Sequence, residues 1–242
     1  MTLLTVVKDV CATVGVQVPS TVFGGIANNR TMQEMLALAN EMAQRIAYDT
    51  RDWTELSAYV ALDGAQGEPP SPFGTTAFVL PANYKRMLLT SNVWRSTSSQ
   101  QPMMFVPNYD EWLQRRLSNT NDARGEWIIT GGRIWTYPVV SSGTKVAFIY
   151  MDKNCVVLTG GGFGDSFMND ADRFRLDERL LKLGMIWQWK AQKGSPYAED
   201  MGSYSDALAN AMGHDQPAPI LIDRRPMSHH NRGVAYPWPV PS

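Results

Sequence analysis

Histidine is scarce in this 242-residue chain. There are three, His214, His229 and His230, and none precedes position 214. The first 213 residues therefore offer no imidazole for a Ser–His–Asp or Cys–His arrangement. Adjacent histidines in a proline-rich stretch do not make a preformed metal site. Cysteine is scarcer still, with only Cys11 and Cys155. Cys11 falls in a helical pattern and Cys155 beside a strand pattern. Both read as small buried apolar residues rather than a disulfide, which fits a reducing compartment. Long apolar runs are missing too. Leu3-Leu4-Thr5-Val6-Val7 is interrupted by Lys8 and Asp9, so neither a signal peptide nor a membrane span is expected. Charge of one sign is also missing, since 22 Lys and Arg face 23 Asp and Glu. A net charge of −1 gives no bulk drive toward nucleic acid. Charged residues make up 19%, a low share compatible with a surface largely covered by partner subunits.

The motifs of phosphate and metal chemistry are incomplete. Gly160-Gly161-Gly162-Phe163-Gly164 is followed by Asp165, where a P-loop needs a Lys and a hydroxyl, so it reads as a plain loop. Asp165, Asp170 and Asp172 lack the acidic twelfth position of an EF-hand, and Asp170 or Asp172 reads instead as a helix cap. No carboxylate pair stands out. No catalytic, cofactor or metal residues are assigned.

Helical periodicity marks both ends. Thr2 is a cap for a helix carrying Leu3, Val6, Val7, Val10 and Val14, and Gly15 is its stop. Thr31 with Glu34 forms a capping-box pattern ahead of Met32, Met35, Leu36, Ala39, Met42, Ala43 and Ile46, predicting a helix to Tyr48 or Asp49. Its methionines read as a core stripe rather than an adaptable binding face. A third long helix is expected from about 172, with Leu176, Leu180, Leu183 and Trp187 on one stripe. A fourth is expected from Pro196 to Met212, with Met201, Tyr204, Leu208 and Met212 on one face and Gly213 as its stop. The short turn between them favours an antiparallel pair.

Between these ends the period changes. Ala58–Leu62, Thr76–Leu80 and Met87–Trp94 read as extended, and Tyr109–Leu117 as a short helix capped by Asn108. Glu126–Tyr137 is the clearest β signal, two strands flanking the Gly131-Gly132 turn. Lys145–Tyr150 is expected to complete a three-stranded antiparallel meander. The class is therefore α+β, an antiparallel helical bundle of residues 1–54 and 165–213, an inserted antiparallel β region over 55–164, and an extended arm over 214–242.

The arm has no helical period. Pro217, Pro219, Pro226, Pro237, Pro239 and Pro241 favour an extended chain, while Ile220, Leu221, Ile222, Tyr236 and Trp238 supply apolar anchors that a solvated tail usually lacks. It reads as an arm that orders on a partner, with Ile220–Ile222 adding a strand; the alternative is a tail packed along its own domain. In the inserted region, Trp112, Arg115, Arg116, Arg124 and Trp127 combine aromatics with cations. That pattern suits single strands or phosphates, but Asp110, Glu111, Asp122 and Glu126 nearly cancel the charge. Solvated surface, or an interface facing neighbours or a tail, fits it better.

Taken in order, these stretches resemble the head-to-tail adaptor (connector) proteins of tailed bacteriophages. The resemblance rests on Met32–Ile46 followed by Asp52-Trp53, Phe78-Val79-Leu80-Pro81 with Tyr84-Lys85-Arg86, and Gly131-Gly132-Arg133-Ile134-Trp135-Thr136-Tyr137-Pro138 with Phe148-Ile149-Tyr150. It ends with Asp177–Gly184, Trp187 and Lys190–Gly194 with Tyr197-Ala198. It covers about 1–212 and implies a ring, commonly of twelve copies, between portal and tail. That ring would extend the DNA channel without binding the genome specifically. It would meet tail, nozzle or terminator proteins on one side and grip the portal with its C-terminal arm. The arm residues for the portal would be Ile220, Leu221, Ile222, Arg224, Arg225, Tyr236 and Trp238. Trp112, Arg115, Arg116 and Trp127 would face neighbours or the tail. No catalytic residue, cofactor or membrane contact is implied. Residence in the virion at the head–tail interface, after assembly in host cytoplasm, follows from the same likeness. A nucleic-acid module built on the Trp/Arg region is the alternative, and an enzyme using scattered carboxylates a third reading.

Overall fold

A computed structural model describes residues 1–25, 29–67, 74–88, 91–97, 101–118 and 122–215. It is mixed α+β, with five α-helices and three sheets among these residues. The helices are α1 (Leu3–Val14), α2 (Arg30–Tyr48), α3 (Tyr109–Leu117), α4 (Glu178–Gln192) and α5 (Ala198–Asp215). The strands are β1 (Ser57–Asp63), β2 (Thr76–Val79), β3 (Tyr84–Met87), β4 (Trp94–Arg95), β5 (Met104–Phe105), β6 (Glu126–Thr130), β7 (Arg133–Tyr137), β8 (Lys145–Asp152), β9 (Val156–Val157), β10 (Phe163–Gly164) and β11 (Arg173–Phe174).

The first helix follows its local signals. Thr2 accepts from Thr5 N, and Gly15 ends the helix at φ +73°, a left-handed conformation that glycine adopts at no steric cost. α3 has the expected bounds, with Asn108 accepting from Asp110 N at 2.9 Å. The β6–β7 hairpin turns on Gly131 and Gly132, both at positive φ.

α4 packs against α1, α2 and α5, because it is apolar on more than one side. Leu180, Leu181, Met185, Ile186 and Trp189 are buried along it. The first core joins these residues to Val6, Val7 and Val10 of α1 and Met35, Met42 and Ile46 of α2. Trp53 seals one end, donating its indole N–H to Ile46 O at 2.7 Å. Cys11 and Cys155 are buried, free thiols in this core.

The strands build a second core. One sheet has the order β1-β8-β3, with β4 also pairing β8; another has β2-β7-β6-β5. Alternation along β8 sends Val146, Phe148 and Tyr150 into the second core, where they meet Phe78, Ile134 and Trp127. Met151, of opposite parity, enters the first core. Ile128, next to Trp127, points the other way and packs with Val106 and Trp112 under α3.

Several expectations are corrected. β8 does not extend the β6–β7 hairpin; it pairs with β1 from Ser57↔Met151 to Asp63↔Lys145, and the free edge of β7 is taken by β2. Met87–Trp94 is not one strand. Its ends belong to β3 and β4, which meet β8 at separate places. Asn29, not Thr31, caps α2, accepting from Thr31 N at 3.0 Å. Asn is at least as good a cap as Thr, and Glu34 is drawn to Arg30 and Lys193 rather than reaching back. Asp177 caps α4, leaving Asp170 and Asp172 to organise loops. Leu183 and Trp187 lie at the half-buried margin of α4 rather than its centre, and Met201 on α5 is exposed. Gly213 does not stop α5, which continues to Asp215 because that residue is anchored to the Arg51–Thr54 segment.

Candidate interaction surface

The chemistry-bearing residues of the inserted region come together, but mostly inside. Arg116 lies between two rings, its Cζ 4.7 Å from the Trp112 centroid and 3.6 Å from that of Tyr137. It ion-pairs with Glu126, which is fully buried at the start of β6. Glu126 also accepts from Arg115 Nη1 at 3.0 Å and from Asp122 N at 3.0 Å. Arg115 forks onto Glu111 one helical turn back, at 2.7 and 2.9 Å. Burial pulls the Arg116 guanidinium below its usual range, opposed by the Glu126 charge, whereas the Glu111 hydrogen bond lifts that of Arg115.

Trp112, Arg116 and Trp127 are therefore buried in the subunit, and only Arg115 of the four stays partly exposed. Arg124 is committed to Asp122 by a bidentate pair at 2.8 Å. The cations needed for a phosphate-binding groove are spent on carboxylates, which counts against the nucleic-acid reading. Sequence reasoning missed Glu126 as the hub. Its one available signal was an acidic residue directly leading an apolar strand.

The exposed apolar surface lies elsewhere, on the outer face of the β1-β8 sheet. Tyr59 sits directly opposite Ile149, and Ala147 opposite both Ala61 and Trp94. Register places these side chains on one face. Tyr59 is 80% exposed, Ile149 45% and Trp94 44%, although such side chains are normally covered.

The remaining constellations are structural. Asp172 accepts from Thr159 N and Oγ1 at 2.9 Å and from Met168 N and Asn169 N at 2.7 Å. Burial alone would raise its carboxyl, but these four bonds hold it below the ordinary 3.8. Asp170 accepts from Val22 N at 3.0 Å, Phe23 N at 3.1 Å and the Thr21 hydroxyl. The glycine-rich loop is the β9–β10 hairpin turn, with Gly161 and Gly162 at positive φ. Among the described residues, no three His, Cys, Asp or Glu side chains are grouped as a metal site needs. His214 lines a cavity of about 330 Å³ with Trp53, Glu55, Asp177 and Asp215. Among the described residues, no helix is long and apolar enough to cross a membrane. The arm residues Ile220, Leu221, Ile222, Arg224, Arg225, Tyr236 and Trp238 lie outside the described residues.

A mixed fold with an exposed apolar sheet face and inward-turned charges is that of a structural, partner-binding subunit. The chain matches the family model of the SU10 adaptor protein over residues 1–228, and it belongs to that family, a phage head–tail adaptor family. The match takes in Ile220–Ile222, Arg224 and Arg225 and stops before Tyr236 and Trp238. No curated protein matches the chain.

Proposed function

We propose that this chain is a non-enzymatic head–tail adaptor that assembles as a ring, of twelve copies, between portal and tail. Its helices form the bundle body over 1–54 and 165–213, the β-rich region over 55–164 faces neighbours or the tail, and the arm over 214–242 grips the portal. The ring extends the DNA channel, and the genome passes without specific contact. Assembly takes place in host cytoplasm, with tail, nozzle or terminator proteins docking below.

The observation that carries this reading is membership of the SU10 adaptor family along nearly the whole chain. The exposed Tyr59–Ile149–Trp94 surface supports it, because a ring covers apolar area that a lone subunit leaves in water. So does the near-neutral charge, which suits a lumen that DNA must slide through.

The test is native mass, measured alone and after mixing with the cognate portal ring. A ring-sized complex with portal is expected, and no association would overturn the reading. Deleting Gln216–Ser242 should leave the body folded by circular dichroism and weaken portal attachment. Undiminished docking would sink the clasp.

A further inference from the structure

The β1 strand has an unfinished edge. One edge pairs with β8 along its full length, and the other has no partner strand among the described residues. From Ala58 to Leu62 it carries no charge, no proline and no bulge, the devices that normally protect an edge. Its inner face is also incompletely covered. Val146, Phe148 and Tyr150 of β8 are buried, whereas Ala58, Val60 and Leu62 beside them on β1 are only half-buried. The outer face carries the exposed Tyr59 and Ala61. A strand with half-covered apolar side chains inside, exposed apolar side chains outside, and an open edge is shaped for one more strand that is apolar on both faces.

The C-terminal arm starts at the foot of that edge. Asp215, the last residue of α5, accepts from Thr54 N at 3.2 Å and pairs with Arg51 at 3.3 Å, just before β1 begins at Ser57. Beyond it, Gln216–Pro219 leads to Ile220-Leu221-Ile222, the one uninterrupted branched-aliphatic triplet of the arm, bounded by Pro219 and Asp223. Gln216–Ile220 spans at most about 17 Å when extended. Thr54 to Val60 covers about 16 Å, through one 3₁₀ turn and half a strand. The triplet thus reaches the middle of β1 when the arm runs in the same direction as the strand.

We propose that Ile220-Leu221-Ile222 of the same chain adds as a parallel strand to the free edge of β1. Ile220 and Ile222 then cover one face and Leu221 the other. The docking completes the sheet before any partner arrives. Arg224, Arg225, Tyr236 and Trp238 lie beyond the triplet and stay available, so the proposal stands apart from the portal reading.

Hydrogen exchange of the full chain tests it. The peptide covering Ser57–Asp63 is compared between the parent and a full-length triple variant, Ile220→Ser, Leu221→Pro and Ile222→Ser, with no portal present. The variant should exchange about tenfold faster or more at the outward amides of β1, with the helices unchanged. Equal exchange overturns the proposal. A full-length Ala61→Cys, Leu221→Cys pair, oxidised at low concentration, reads the same contact independently. A cross-linked monomer supports docking within one chain. A cross-linked dimer assigns the edge to a second copy and overturns it, as does no cross-link.

Discussion

Glu126 accepts a hydrogen bond from Arg115 at 3.0 Å although its side chain has no exposed surface. The same carboxylate pairs with the buried Arg116, so one anion serves two cations and the Asp122 amide. Removing it strands Arg116 between two aromatic rings with its main counter-charge gone. Breaking a buried pair from one side costs about 3–5 kcal/mol. Glu126→Ala should therefore lower the urea midpoint markedly, and Glu126→Gln less so because it keeps two hydrogen-bond acceptors. Equal, small effects of the two would show that the pair contributes little.

Asp172 gives the fold an acid-sensitive clasp. Its folded carboxyl is held below the ordinary 3.8 by its four donors, against the effect of burial. A depressed folded value contributes stability that is complete above the unfolded value and is lost as pH falls through the folded one. The stability gap between parent and Asp172→Asn should thus be widest at pH 6 and shrink below pH 4. Denaturant midpoints at pH 6 and pH 3 measure it, and a gap independent of pH would contradict the assignment.

What was legible in the sequence was local. α1 and α3 and the β6–β7 hairpin are written in caps and glycine turns that act within a few residues, and they came out at the expected places. The partner of β8 was not legible, because β1 lies far upstream and the nearer hairpin offers an equally good alternation. The caps of α2 and α4 were misplaced where Thr31, Asp170 and Asp172 compete with Asn29 and Asp177, and only tertiary donors decide between them. The Trp/Arg cluster was legible as a group. Its inward orientation was not, since that depends on Glu126 lying under α3.

Gly64 marks a close approach that no larger residue fits. A Cβ there would stand 2.1 Å from Ser141 O and 2.6 Å from Val140 O, both backbone atoms of the segment leading into β8. Backbone cannot swing aside as a side-chain tip does. Its N–H also donates to Thr144 O at 2.9 Å, fixing the end of the β1–β8 ladder. Gly64→Ala should destabilise by about 1–3 kcal/mol through overpacking, despite alanine's lower unfolded-state entropy. Exchange should quicken first at Leu62 and Asp63, and an unchanged thermal midpoint would refute the approach.

The end of α5 is held by its anchor rather than by its own sequence. Gly213 in the last turn favours fraying, and an acidic Asp215 at a helix C-terminus opposes the helix dipole. Arg51 reverses both effects, donating to Met212 O and pairing with Asp215, while Thr54 N caps the same carboxylate. Arg51→Ala should therefore open the last turn, raising exchange across Ala209–Asp215 by about tenfold, the size expected for losing one well-held charged contact. Leu180 and Met185 in α4 should keep their protection, because they pack in the first core away from this anchor. If instead α4 and α5 lose protection together, the anchor is part of one cooperative unit and the arm's root cannot be released without loosening the body.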